Sequence, residues 1–181
     1  IFARKFLFED RYQKLDPPPP PPHALEFWLG GYSSREERPE LWKILISNGT
    51  CDTPKCLRKP GDCGIDWGGQ PEAIHRLLIG FAQSVPEVLK DAGVPEADLL
   101  RLMEVIQQKT EAPLVAPQMP IQDAIELADF LVDLTKKYVR FLPGADVVGG
   151  DTDIAAVTRH ERFKWISRKH YYPSQLNPLE M

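Results

Sequence analysis

The sequence lacks most of the features that assign a protein to a class at first sight. Its 181 residues contain no apolar run near the roughly 18 residues of a membrane-spanning helix. The net charge of −4 leaves no strong basic surface for nucleic acid or an anionic membrane. Neither a secretory signal nor an initiating Met opens the chain. We therefore expect a cytoplasmic protein with no nucleic-acid or membrane partner.

Cysteine is also scarce, since the chain has only Cys51, Cys56 and Cys63. An odd number without a secretion signal favours reduced thiols over a disulfide scaffold. Zinc binding with His75 is the alternative, because thiolates and imidazole bind zinc tetrahedrally. The spacing lacks the close CxxC pairs typical of zinc sites, so we expect free thiols and no metal.

Familiar catalytic motifs are absent: the chain has no GxSxG, no HExxH and no phosphate-binding loop. Two glycine pairs are the nearest candidates. Gly68 and Gly69 precede a predicted helix, where backbone amides would bind an anion, although a tight turn is the simpler interpretation. Gly149 and Gly150 precede a strand, which does not suit a phosphate loop. No cofactor is predicted.

Proline is the residue in excess, with 18 in the chain and six in a row at residues 17–22. Such a run cannot form a helix or a central strand. At ~3.1 Å per residue it predicts a polyproline II spacer about 19 Å long. A ligand for a proline-binding module is the alternative.

The apolar pattern of the first third predicts an antiparallel hairpin. Residues 1–15 resemble the end of an amphipathic helix and start in mid-pattern, so we expect residue 1 to be an internal point of a longer protein. A processed or trimmed terminus is the alternative. Strands are predicted at 24–29, ended by Gly30 and Gly31, and at 39–46. A loop insertion that contains the cysteines is predicted at 50–64.

Helices are predicted next, from Pro71, at 86–92, from Pro95 and at 120–142. The last of these has two apolar stripes, so we expect it to be buried on more than one side. A second strand pair follows the 149–150 turn, and a tail is predicted at 173–181. This order favours an α+β fold over a βαβ array.

Two further groups of polar residues invite a chemical interpretation. Asp151 and Asp153 alternate at a strand entrance, as a metal-binding or acid–base pair would, but a solvated entrance is the simpler interpretation. His160 and His170 flank a basic segment with Trp165. Such segments stack on nucleobases, yet a hairpin with one wet face explains the same alternation.

The order of elements resembles the 20S proteasome-type family of N-terminal-nucleophile hydrolases, over most of residues 1–170. Residues 24–46 resemble its strand hairpin, with Gly31-Tyr32 ending one strand and Pro39-Glu40-Leu41-Trp42 opening the next. Residues 67–70 resemble the glycine turn before its third helix. Residues 121–128 resemble the start of its next helix, and residues 148–154 resemble the entry to its last strand pair.

The resemblance implies a four-layer αββα sandwich of antiparallel sheets, with residues 1–172 as a partial domain that lacks the first strands. It implies a ring assembly or homo-oligomer that hydrolyses peptide or amide bonds of a protein substrate. In that family a Thr, Ser or Cys attacks and its own free amine is the base. Ile1 has no nucleophilic side chain, so the nucleophile is expected outside this chain.

The resemblance leaves few site residues within the chain. Asp146 is expected to support the site, and Gly68, Gly69, Gly149 and Gly150 form its structural turns. Active members carry Asp and Ser where this chain has Ala145 and Val148. These two departures fit a divergent bacterial or archaeal member of the family. A catalytically inactive ring subunit and a non-enzymatic interaction module are the alternatives. An incomplete sandwich would expose apolar sheet edges.

Overall fold

A computed structural model describes residues 25–33, 38–47, 50–144 and 148–169. The proline run, the helix predicted at 1–15, Asp146, His170 and the tail lie outside these residues. The described residues form a mixed α/β structure with four helices and two antiparallel sheets, which confirms the α+β composition. They divide into two compact units, residues 25–62 with Val157–Arg162, and Cys63–Ala156 with residues 163–169. The single domain over 1–172 stays a prediction.

The predicted hairpin is present in the first unit. Strand β1 (Leu25–Tyr32) pairs antiparallel with strand β2 (Pro39–Ser47), from Leu25 opposite Ile46 to Tyr32 opposite Pro39. Gly30 and Gly31 lie inside β1, so the prediction that they end the strand was wrong. Pairing with β2 supplies ladder hydrogen bonds that hold both glycines extended, which outweighs their weak strand propensity.

The cysteine-containing segment is only partly a loop. Strand β3 (Thr50–Cys51) and strand β4 (Lys55–Arg58) both pair antiparallel with β2, on the side away from β1. The prediction of a loop insertion over 50–64 was therefore wrong for these two strands. Backbone N–H and C=O groups on the second side of β2 require hydrogen-bond partners. Residues of β3 and β4 supply them and are therefore extended, although the segment is rich in turn residues.

The helices lie close to their predicted positions. They are α1 (Glu72–Ile79), α2 (Val85–Asp91), α3 (Glu96–Thr110) and α4 (Ile121–Arg140). Pro71 is the N-cap of α1 rather than its first helical residue. Acidic residues lie in each first turn and basic residues in each last turn, which complements the helix dipole. Among the described residues, no helix combines the length and apolar character needed to cross a bilayer.

The core of the second unit lies where α1 meets α4. Ile74 and Leu78 of α1 pack with Leu131 of α4, and partly buried apolar side chains surround them, namely Ile65, Trp67, Leu77 and Leu127. Phe130 and Ile121 of α4 are exposed. The prediction that α4 is buried on more than one side is therefore wrong within the described residues, because α1 covers one stripe.

The last elements are strand β5 (Ile154–Thr158) and strand β6 (Arg162–Ser167), which pair with each other as predicted. Residues 151–153 lead into β5 without joining its ladder. Every side chain of β6 is exposed. The hairpin therefore presents apolar side chains, including Phe163 and Trp165, to solvent.

A close backbone approach joins the C-terminal ends of α1 and α3. Gly80 ends α1 with φ +90°, and its N–H donates to the carbonyl of Arg76 at 3.1 Å. Thr110 Oγ1 lies 2.6 Å from the carbonyl oxygen of Ile79, and the N–H of Ala112 donates to the carbonyl of Leu78 at 2.8 Å. Carbonyls that the end of α1 leaves unpaired thus find partners at the last residue of α3 and just beyond it.

We expect Gly80→Ala to destabilise the second unit, the helical unit, which contains α1 to α4, by about 2–4 kcal/mol. The added Cβ would lie 2.6 Å from the carbonyl oxygen of Thr110 and would also overlap the Cβ of that residue. Urea unfolding followed by circular dichroism at 222 nm measures the loss.

Gly93→Ala is the matched control, because Gly93 has φ +89° and no atom within 4 Å of an added Cβ. It should cost about 1 kcal/mol, the conformational penalty alone. Equal losses in the two variants would show that the contact with Thr110 is unimportant.

Candidate functional site

An open cleft of about 470 Å³ lies beside the 149–150 turn. Its walls are the last turns of α4 and the turn itself, and its lining residues are Asp133, Lys136, Lys137, Arg140, Val148, Gly149 and Gly150. Gly150 has φ +80°, a conformation that side chains rarely adopt, so a glycine is favoured there. The turn predicted from sequence therefore forms one wall of a cleft.

Lys136 connects α4 to the strand entrance. Its ammonium donates to the hydroxyl of Thr152 at 2.5 Å in a part-buried position. The hydroxyl of Ser167 donates to the carbonyl of Thr152 at 3.2 Å. Thr152 is thus bonded from both α4 and β6, and these contacts fix the segment that follows the glycines.

The cleft carries an excess of positive charge. Lys137 forms an ion pair with Asp133 at 2.6 Å, one turn earlier on α4. Lys136 bonds to a neutral hydroxyl, and Arg140 stands exposed at the end of the helix. These donors suit an anion or a polarised carbonyl oxygen. Among the described residues, no Ser, Thr or Cys belongs to the lining, so the cleft itself holds no hydroxyl or thiol nucleophile.

The other predicted site residues fall in different places. Asp146 lies outside the described residues. Val148 lines the cleft at the position where the resemblance expects a serine. Gly68 and Gly69 form an exposed turn before α1, where Gly69 has φ +80°, and they are not among the cleft lining residues. Anion binding at Gly68 and Gly69 stays a prediction.

The two aspartates at the strand entrance do not act as a pair. Asp153 accepts a hydrogen bond from the N–H of Lys169 at 2.7 Å, and its other carboxylate oxygen lies 3.6 Å from the Lys169 ammonium. Asp151 is exposed. Asp153 therefore anchors the residues after β6, and the solvated entrance is the interpretation that this geometry favours.

The cysteines and His75 are held by different elements. All three cysteines are free thiols. Cys51 lies opposite Ile46 and Cys56 opposite Trp42, so β2 spaces the two thiols along its length. His75 Nδ1 lies 2.9 Å from the carbonyl oxygen of Phe81, with the two rings edge to face. Nowhere in the described ranges do three His, Cys, Asp or Glu residues group as metal ligands.

Aromatic side chains of β6 and a basic side chain just after it do come together. The rings of Phe163 and Trp165 meet edge to face at 5.2 Å, and the Arg168 guanidinium lies 5.2 Å from the Trp165 ring centroid. His160 is exposed in the turn before β6. The contacts pair these groups with each other. Every side chain of β6 is exposed, so the single wet face expected from its alternating pattern is not seen on this strand.

Comparison with models of protein families, with curated proteins and with solved structures finds no significant match to this chain. A function must therefore be argued from the order of the elements and from the geometry of the cleft. Sequence reasoning identified the 149–150 turn but missed Lys136 and Thr152. Their hydrogen bond joins residues 16 positions apart, and no local pattern marks such a pair.

We expect Thr152→Val to destabilise the helical unit by about 2 kcal/mol, because it leaves the part-buried Lys136 ammonium without its acceptor. Urea unfolding followed at 222 nm measures the change. Gln122→Met is the control within the same helix, since the exposed Gln122 amide donates to the Glu126 carboxylate and its loss should cost about 0.5 kcal/mol. Similar losses would contradict a special role for the Lys136 contact.

Glu72 makes stability depend on pH. Partial burial raises the pKa of its carboxyl, but hydrogen bonds from the Gln83 N–H and the Arg76 guanidinium outweigh burial and lower that pKa below its ordinary value. A folded-state pKa below the unfolded one adds stability above that unfolded value and loses it as pH falls through the folded one.

We therefore expect Glu72→Gln to cost about 0.5–1 kcal/mol at pH 7, with the difference from the unmodified protein vanishing in acid. Urea unfolding at a series of pH values from 7 to about 3 measures it. The control is Glu104→Gln at an exposed position of α3, which should leave the free energy of unfolding unchanged at every pH in the series. A Glu72→Gln penalty that persists at the lowest pH would contradict the electrostatic origin.

Proposed function

We propose that this chain is part of a divergent proteasome-like N-terminal-nucleophile hydrolase, acting on peptide or amide bonds. The support is the order of its elements: a hairpin, a glycine turn, a helical block, a long helix, a second glycine turn and a final hairpin. In this proposal the two antiparallel sheets are the inner layers of a four-layer αββα sandwich. The remaining strands and the Thr, Ser or Cys nucleophile come from sequence outside residues 1–181.

The observation that carries the proposal is the position of the 149–150 turn. The resemblance assigns this turn to the catalytic centre, and the turn forms one wall of a cleft with Lys136 and Arg140. Fixed donors beside a reacting carbonyl stabilise the negative charge that develops on its oxygen. In the proposal these donors position the substrate carbonyl, and Asp146 supports the nucleophile.

A catalytically inactive ring subunit is the second candidate. Val148 lines the cleft where active members of the family that the chain resembles carry a serine, which favours loss of activity. Large apolar side chains such as Phe141, Phe163 and Trp165 are exposed, and exposed apolar patches mark surfaces for other chains. The interaction module based on the proline run stays a sequence prediction.

Covalent trapping tests the hydrolase. The protein is purified from its native source, its N-terminus is sequenced, and its mass is measured before and after incubation with an electrophilic peptide amide mimic. The proposal expects one adduct on a terminal Thr, Ser or Cys. A mature terminus without such a residue, with no adduct, would contradict the hydrolase and favour the inactive subunit.

A substitution in the turn adds a second readout. Gly150→Ala strains a φ of +80° and should lower amide hydrolysis by about tenfold or more, because small displacements of positioning groups weaken catalysis strongly. Gly93→Ala carries similar strain at φ +89° outside the cleft lining and should leave the rate unchanged.

A further inference from the structure

The two edges of the four-stranded sheet are built differently. One edge consists of β3 and β4, which are two and four residues long, carry Lys55 and Arg58, and oppose a register shift between Leu41 and Trp42. Short strands, positive charges and irregular register all discourage pairing with another chain. This edge is protected.

The β1 edge has none of these protections. β1 runs for eight residues, and within the described part of the chain it pairs only with β2. It has no Pro, Lys or Arg, and its pairing with β2 is regular throughout. Alternate backbone N–H and C=O groups of an edge strand point away from the sheet. β1 therefore offers a long template for one more strand.

The one charge on β1 is compensated within its own sheet. Glu26 accepts hydrogen bonds from the Lys43 ammonium and from the Trp28 indole N–H, each at 2.9 Å. The bond from Lys43, with that from Trp28, lowers the pKa of Glu26, so the carboxyl stays ionised at neutral pH and stays paired with Lys43. Glu26 does not present an uncompensated charge that would repel an incoming strand.

One face of the sheet is apolar up to the β1 edge and is uncovered there. Leu25 lies opposite Ile46, and Phe27 lies opposite Ile44, so these side chains share a face. On that face Ile44 and Ile46 are 4% and 5% exposed, whereas Leu25 and Leu29 are 52% and 53% exposed. A further strand beside β1 would cover the two exposed leucines with its own side chains.

We propose that β1 pairs antiparallel with β1 of a second copy of this chain, centred on Leu29. A two-fold axis perpendicular to the sheet keeps each face on the same side, so residues of equal parity must pair. Centring on Leu29 places Leu29 opposite Leu29, Trp28 opposite Gly30, Phe27 opposite Gly31, and Glu26 opposite Tyr32.

This register satisfies the side chains of both copies. Aromatic rings lie across from glycines, an arrangement that compensates for the missing side chains in a sheet. An added Cβ at Gly31 would find no atom within 4 Å, so the space beside it is open. The Glu26 carboxylates of the two copies are kept apart. The proposal uses only the sheet edge of residues 1–181 and none of the residues of the cleft.

Sedimentation velocity of the 181-residue chain over a concentration series tests the pairing. The chain should dimerise, and Leu29→Lys should weaken dimerisation at least about tenfold, because it places two like charges opposite each other. Leu100→Lys, at a more exposed leucine of α3, is the matched control and should leave the dimer unchanged. A chain that stays monomeric, or a dimer indifferent to Leu29→Lys, overturns the proposal.

Cysteine cross-linking tests the register without disturbing charge. In a background with Cys51, Cys56 and Cys63 changed to Ser, Leu29→Cys should form a disulfide-linked dimer on mild oxidation. Leu25→Cys is the control, because the two copies of that residue would stand about 27 Å apart at ~3.4 Å per residue. Cross-linking of both variants, or of neither, overturns the register centred on Leu29.

Discussion

The close approach of Gly80 to Thr110 is the contact on which the helical unit depends. α1 is short, and a helix of eight residues is marginal by itself in water. Its C-terminal carbonyls are bonded by Thr110 and Ala112, and Ile74 and Leu78 are buried against Leu131. The absence of a side chain at residue 80 lets the end of α3 come near enough for these bonds.

The distribution of charge along α4 places basic side chains at the cleft. Basic residues at the end of a helix are favoured by the dipole, whatever else they do. Here the same residues meet a glycine turn, and the bond from Lys136 to Thr152 holds the turn beside them. The basic residues that line the cleft are thus explained by helix stability alone. They would also bind a carbonyl or carboxylate, and the substrate of the proposed hydrolase carries such a group.

The two edges of the four-stranded sheet differ in their protection against pairing with another strand. Both edges belong to strands that flank β2, yet only the β3–β4 edge combines positive charges, short strands and a register shift. Protection on one side alone indicates that the unprotected side is covered by another strand. A second copy of β1 would cover this edge, in a register that the sequence of β1 itself supports.

The sequence by itself determined the local elements whose patterns are continuous. Prolines and glycines bounded the helices to within a few residues, and apolar or alternating segments between turn residues located β1, β2, β5 and β6. It also identified the 149–150 turn. These features depend on neighbouring residues, so they can be read along the chain.

Only the tertiary structure decided what depended on distant partners. β3 and β4 became strands because β2 had backbone groups to pair, and Gly30 and Gly31 stayed extended for the same reason. α4 was expected to be buried on more than one side, but its burial depends on which helices pack against it, and its apolar pattern does not specify them. The contact between Lys136 and Thr152 arose in the same way, because a hydrogen bond across 16 residues leaves no periodic signal in the sequence.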